Sequence, residues 1–328
     1  MNDNYRGGVP LAEVVRSGFV ESLHRGSVVL LDGAGAVLEA SGDVESAIFP
    51  RSSNKPLQAI GMLRAGLRLR DAADLALVCA SHHGEGFHLE RVRALLRSAG
   101  LDESALHCPP DMPLSEDARA AVYRAGGGPA RVQMNCSGKH TGMLLTCLAA
   151  GWPVQGYWRP EHPLQEQLRG AVEECAGERV TAVGVDGCGA PVLAISLTAL
   201  ARSFLRLVSA APGSAERTVA DAMREHPTIV AGTGPDAYDS HLMAGVPGLL
   251  LKSGAEGVLA AALPGVGAVA LKIDDGGARG RVPVLVSALR RLGVDAPVLD
   301  EFASLPVSGG GAPVGAVRSL PLFGAGPA

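Results

Sequence analysis

The chain has 328 residues, 47% of them hydrophobic and 19% charged, a balance that suits a globular core of one large unit or two modest lobes. A net charge of −4 with no strongly basic run leaves nothing to neutralise a phosphate backbone, which excludes nucleic acid and favours a small-molecule partner. Aromatic residues make up only 4%, so Ala, Leu and Val must fill the interior.

Residues 1–10 carry Asp, Arg and two Gly where a signal peptide would carry an apolar core. The apolar stretches Leu193–Ala201 and Leu249–Leu251 are too short or too interrupted to span a bilayer. Six cysteines, at 79, 108, 136, 147, 175 and 188, are scattered rather than dense, which fits a reducing cytoplasm with free thiols or a metal.

In chain order, Ser27–Leu31, Gly33-Ala34-Gly35 and Ala36–Glu39 predict a hairpin, because glycine supplies the positive φ that a tight turn needs. Leu57, Ile60, Met62 and Leu63 mark one face of a helix from Lys55 to Ala65, with Pro56 in its first turn, where the missing N–H costs little. Leu75–Ala80 is a short apolar run, and Phe87–Ala99 reads as a helix. Residues 108–117 contain three prolines and read as a loop. Lys139–Leu148 reads as a buried helix, Val180–Val185 as a strand, and Ala190–Leu207 as a helix after a loop. Gly248–Lys252 and Ala268–Ile273 are strands, Val282–Leu292 a helix, and Gly309–Ala328 a Gly- and Pro-rich end with one short apolar piece and a tail. No repeat and no linker divides the chain. We therefore expect one unit over 1–328, with a sheet lobe from 25–50 plus 246–328 and a mostly helical middle at 51–245. The hairpin and the C-terminal strands would share a sheet that is not purely parallel.

The chemistry sits in short strings. Ser52-Ser53-Asn54-Lys55 is a Ser-x-x-Lys box, and residues three apart share one helix face, so the Lys55 amine could reach the Ser52 hydroxyl. Serine needs such a base to become a nucleophile, and lysine serves only if burial or a neighbouring cation keeps it neutral. Lys252 is a candidate for that cation, and Ser53 is the rival nucleophile that spacing disfavours. Lys252-Ser253-Gly254 reads as a strand edge, where the missing side chain at Gly254 admits a substrate backbone. A Ser-x-x-Lys box faced by a Lys-Ser/Thr-Gly strand is the layout of serine acyl-transfer enzymes of the β-lactamase type. Ser81 opens Ser-His-His-Gly-Glu and would form a second Ser–Lys pair with Lys252. His82, His83 and Glu85 could instead bind a metal or form a polar, hydrogen-bonded loop. Cys136, Lys139, His140, Asp186 and Cys188 bring together two soft thiolates with Lys, His or Asp, a set that could hold zinc with an open position.

These strings, from Pro50-Arg51-Ser52-Ser53-Asn54-Lys55 through Ser81-His82-His83-Gly84-Glu85, Asn135–His140, Gly184–Cys188 and Lys252–Gly257 to Lys272–Gly276, resemble the Rhizobium-type (class 3) L-asparaginases of the asparaginase II family. The resemblance implies an α+β fold like the serine β-lactamases and glutaminases, mainly antiparallel sheet packed with helices. It implies hydrolysis of L-asparagine to aspartate and ammonia through an acyl-enzyme, with Ser52 as nucleophile beside Lys55, and Ser81 paired with Lys252. It further implies zinc on Cys136, Lys139 and Cys188, serving substrate binding rather than the chemistry itself, and a homodimer. Arg51, His140 and Asp186 are then substrate-shell candidates, with Arg51 against the α-carboxylate and Asp186 or Glu85 against the α-amine. Lys252 is preferred to Lys272 as the second lysine because of its Lys-Ser-Gly string. Three rivals stand beside this reading. They are another β-lactamase-type acyl-transfer enzyme, a non-catalytic zinc- or ligand-binding protein, and glutaminase activity, which differs by one methylene.

Overall fold

A computed structural model describes residues 5–323 of the chain. Its main sheet runs through the strands Ser304–Gly309, Ala312–Ser319, Val9–Arg16, Phe19–Asp32, Gly267–Ile273, Val258–Leu263 and Leu250–Ser253, with Val37–Ser41 also paired to Phe19–Asp32. Every pairing in it is antiparallel. The architecture is α+β, a mainly antiparallel sheet packed with helices, as expected.

The central strands are buried along nearly their whole length, at Val258–Ala262 and Gly267–Leu271. That calls for small side chains, and Ala260, Ala261, Ala262, Ala268 and Ala270 supply them. The helix Leu197–Ser209 packs on these strands and on Phe19–Asp32. Its Leu200, Ala201, Phe204 and Leu207 are buried, while Arg202 and Arg206 stay out of the core, and Ser196 caps its start by accepting from the Ala199 N–H. The helix Arg281–Arg291 packs on Gly267–Ile273 as well.

Between the hairpin and the last sheet strands lie the helices Lys55–Arg64, Ala72–Cys79, Gly86–Ser98, Ser137–Ala150, Pro163–Ala176 and Ala215–Glu225. The helix Ser137–Ala150 crosses Ala72–Cys79 closely because Gly138 has no side chain: a Cβ there would lie 2.4 Å from the Leu77 carbonyl oxygen. Among the described residues no helix is long and apolar enough to cross a membrane.

The predicted hairpin is present, but its first strand starts at Phe19 and its turn is closed by Asp32, whose carboxylate accepts from the Ala34 and Ala36 N–H groups. Leu75–Cys79 of the short apolar run belongs to the helix Ala72–Cys79, which Asp71 caps, and Ala80 lies just past its end. The expected helix over Ala190–Leu207 is two short strands, Pro191–Leu193 and Ile195–Ser196, followed by a helix from Leu197. Pro191 and the Ser196 cap account for the late start. The strands Val9–Arg16, Val258–Leu263, Ser304–Gly309 and Ala312–Ser319 were not anticipated, so the sheet takes in residues before 25 as well as the last third. Part of the expected tail is the strand Ala312–Ser319; residues 324–328 lie outside the described residues.

Candidate active site

The Ser-x-x-Lys box is built on a bend. Arg51 adopts a left-handed φ of 53°, a short 3-10 turn covers Arg51–Asn54, and the helix Lys55–Arg64 follows with Pro56 in its first turn. The Lys-Ser-Gly strand lies directly against this bend. The buried Ser53 hydroxyl donates to the Lys252 carbonyl at 2.9 Å, and a Cβ on Gly254 would sit 2.5 Å from the Pro50 carbonyl oxygen. Gly254 is therefore small because the box packs on it. Ser53 is committed to the strand, whereas the Ser52 hydroxyl is only partly buried and has no hydrogen-bond partner among the described residues.

Lys55 is 1% exposed, and its ammonium donates to the Ala80 carbonyl at 2.5 Å and to the Ser81 hydroxyl at 3.0 Å. Ala80 ends the helix Ala72–Cys79, where unpaired carbonyls and the negative end of the helix dipole attract a cation. That attraction turns Lys55 toward Ser81 rather than Ser52. The expected Ser81–Lys252 pair is not formed. The Lys252 ammonium donates instead to the Ser253 carbonyl at 2.8 Å and lies 3.4 Å from the Asp239 carboxylate. Burial lowers Lys252 to about 8 against the pull of Asp239, and the charge of Lys55 adds to the lowering.

Ser81 is fixed by its own backbone, with its N–H donating to the Val230 carbonyl at 3.0 Å. Of the residues that follow, His82 accepts from the Gly84 N–H through Nδ1, so its Nε2 donates to the Ser137 hydroxyl at 2.8 Å, which in turn donates to the Val132 carbonyl. Burial keeps this imidazole neutral, and both of its nitrogens are engaged. Glu85 accepts from the Thr233 N–H and hydroxyl at 2.8 and 2.6 Å. His82 and Glu85 are thus engaged in hydrogen bonds next to Ser81, while the buried His83 Nδ1 has no hydrogen-bond partner among the described residues.

A second cluster adjoins the first. Cys136 precedes the helix Ser137–Ala150, Lys139 and His140 lie in its first turn, and Cys188 follows the strand Val183–Val185. The Lys139 ammonium donates to the Cys188 sulfur at 3.1 Å. The neighbouring Cys136 thiol, together with Lys139 and His140, overcomes burial and holds Cys188 below the ordinary thiol range. Cys136, whose Sγ donates to the Asn135 Oδ1 at 3.1 Å, is pushed up by the neighbouring Cys188 and by burial. Burial opposes the Lys139 charge most strongly, but Cys188, Cys136 and Asp186 together outweigh it and raise that ammonium. His140 bonds the Tyr157 hydroxyl at 2.7 Å through Nδ1, while its Nε2 is buried with no hydrogen-bond partner.

Two thiols, an amine and an unpartnered imidazole nitrogen are a donor set suited to zinc. Among the described residues no three His, Cys, Asp or Glu side chains form a metal cage by themselves, so Lys139 would have to serve as the third ligand beside Cys136 and Cys188. It would have to lose its proton to do so.

Arg51 joins the two clusters. Its Nε donates to Asp186 at 2.7 Å, its Nη1 lies 3.6 Å from Glu256, and Asp186 also accepts from the Gly187 N–H next to Cys188. A cavity of about 1120 Å³ is lined by Tyr5, Phe49, Arg51, Glu178, Glu256 and Lys272 among others, and meets the clusters only at Arg51. Lys272 is in its wall, donating to the Glu256 carbonyl at 2.9 Å, and is not a neighbour of Ser81 by any hydrogen bond. Asp239, Arg281 and Tyr157 escaped the sequence reading, since none belongs to a recognisable string.

A family model described as L-asparaginase II matches residues 12–319. No curated protein sequence matches the chain. Solved structures similar to it include a protein called Mglu in its native form, at 16% identity over 82% of this chain and 63% of that one, with a TM-score of 0.44. A β-lactamase from Mycobacterium bovis matches at 15% identity over 82% of this chain and 95% of that one, with a TM-score of 0.43. A Bacillus glutaminase matches at 13% identity over 76% and 83%, with a TM-score of 0.33. The chain spans less than two thirds of the Mglu chain.

Proposed function

The chain belongs to the L-asparaginase II family, which makes it a hydrolase of amides, and from that premise we propose that it converts L-asparagine to L-aspartate and ammonia through a seryl acyl-enzyme. The observation that carries this reading is the contact between the two boxes: Ser53 and Gly254 seat the Ser52 bend on the Lys252 strand, and the Ser52 hydroxyl has no hydrogen-bond partner among the described residues.

Ser52 Oγ attacks the side-chain amide carbon, and its proton passes to the Lys55 amine. The Lys55–Ser81 hydrogen bond then carries a proton to the departing nitrogen, which leaves as ammonia. Water attacks the β-aspartyl ester, its proton returns through the same pair, and Ser52 is restored with aspartate released. Lys252 places a positive charge near Lys55. Arg51 and Asp186, which pair with each other at 2.7 Å, would part to meet the α-carboxylate and the α-amine of the bound amino acid. Zinc on Cys136, Lys139 and Cys188 would supply a positive charge that orients the bound amino acid. A homodimer is the accompanying expectation from the family resemblance, and a reducing cytoplasm is the expectation from the scattered cysteines.

Ammonia release from L-asparagine tests the reading, with wild type, Ser52→Ala and Ser53→Ala compared side by side. Release by wild type and Ser53→Ala but not by Ser52→Ala is expected. Release by Ser52→Ala moves the nucleophile elsewhere, and no release by a folded wild type sinks the substrate assignment. A chromogenic β-lactam and L-glutamine in parallel separate the two catalytic rivals.

A further inference from the structure

Asp239 is a buried acid with no place in the sequence motifs. It sits in the first turn of the helix Tyr238–Gly245 and is 6% exposed. Its Oδ2 accepts from the Ser253 N–H at 2.8 Å and lies 3.4 Å from the Lys252 ammonium; its Oδ1 accepts from the Ser253 hydroxyl at 2.5 Å. One carboxylate thus grips two successive residues of the strand that carries the site. The opposite side of that strand is held by Ser53, through the Lys252 carbonyl. A neutral acceptor would satisfy the Ser253 N–H equally well. An acid is needed only where a buried cation requires a counter-charge, and Lys252, at 1% exposed, is that cation.

The geometry points to Asp239 as a positioning residue that keeps Lys252 charged and fixed beside the Ser52 bend, so that this ion pair sets the alkaline limit of the reaction. The inference rests on the asparaginase reading above. The charged and titratable groups that bear on Lys252 are Asp239, Lys55 from the helix Lys55–Arg64, Arg281 from the helix Arg281–Arg291, and the Cys79 thiol at the end of Ala72–Cys79. In the paired strand the residue opposite Lys252 is Ala260, which carries no charge. Asp239 alone favours the ammonium; burial, Lys55 and Arg281 all oppose it. Arg281 itself donates to the Gly254 carbonyl at 2.5 Å, which pins the turn after the strand.

The test is the pH profile of asparagine hydrolysis by wild type, Asp239→Asn, Asp239→Glu and Ser253→Ala. In Asp239→Asn the alkaline limb moves to lower pH by roughly one unit or more and kcat drops by about tenfold or more near neutrality, while KM changes little. Asp239→Glu restores part of the limb. Ser253→Ala loosens the carboxylate without removing its charge, so its limb moves the same way by less, and it supplies the reading if Asp239→Asn does not fold. A folded Asp239→Asn with the wild-type limb, or a Ser253→Ala profile superposable on the wild type's, overturns the inference. A wild type that does not hydrolyse asparagine fails the asparaginase reading instead. The pair is then read from an NMR titration of the lysine ammonium groups in wild type and Ser253→Ala, and identical Lys252 titrations overturn it.

Discussion

Lys252 and Lys139 are both fully enclosed, yet their surroundings drive them in opposite directions. Lys252 faces a carboxylate at 3.4 Å, but burial and the nearby Lys55 win and bring it to about 8. Lys139 faces the Cys188 sulfur at 3.1 Å, and Cys188, Cys136 and Asp186 together win over burial, raising the ammonium above its ordinary range. Burial alone therefore does not decide a lysine's charge; the balance of neighbours does. The Lys252 side is poised to change charge near neutral pH, as a reacting site requires. On the thiol side the Lys139 ammonium and the Cys188 sulfur are enclosed together at 3.1 Å.

Substitutions can break this division of labour, and the largest effect belongs to the nucleophile. Ser52→Ala should lower kcat by about a thousandfold or more without changing the melting temperature, as measured by ammonia release and thermal unfolding. Lys55→Met comes next, with a loss of about 10²–10⁴ in kcat, because it removes both the base and its bond to Ser81.

A pH profile sharpens the comparison without mutation. If Lys252 works as a cation, kcat is maintained below about 8 and falls above it as the ammonium loses its proton. A profile flat through that region would place Lys252 outside the chemistry. On the other side of the site, Cys188→Ala should lower bound zinc and raise KM more than it lowers kcat, since the thiol cluster is assigned to substrate binding. Metal analysis with steady-state kinetics checks this, and full zinc stoichiometry in the variant would refute the ligand set. The smallest effect is expected from Glu85→Gln, which weakens two hydrogen bonds to Thr233 and costs about 1 kcal/mol, seen as a melting shift of a few degrees at most.

Features written in local chemistry were legible in the sequence. The hairpin followed from its glycines, the helix after the box from Pro56 and the spacing of Leu57 and Ile60, and the Lys252 strand from its apolar run. The strand Val258–Leu263 was hidden because a segment buried on both faces has no alternation, and its alanines suit a helix as well. Val9–Arg16 and Ala312–Ser319 pair with each other from opposite ends of the chain, a relation no local pattern encodes. In the site, residue types could be proposed from spacing, but their partners could not. Lys55 turns to Ser81 because of the Ala80 carbonyl at a helix end, and Lys252 turns to Asp239, which lies 13 residues away on a helix with no motif.

The central claim is that Ser52 carries the acyl group. Wild type mixed with L-asparagine, quenched in acid during turnover and digested, should yield a β-aspartyl adduct on the peptide bearing Ser52, absent from Ser52→Ala. An adduct mapped by fragmentation to Ser53 or Ser81, or none during demonstrated turnover with burst-free kinetics, would contradict it.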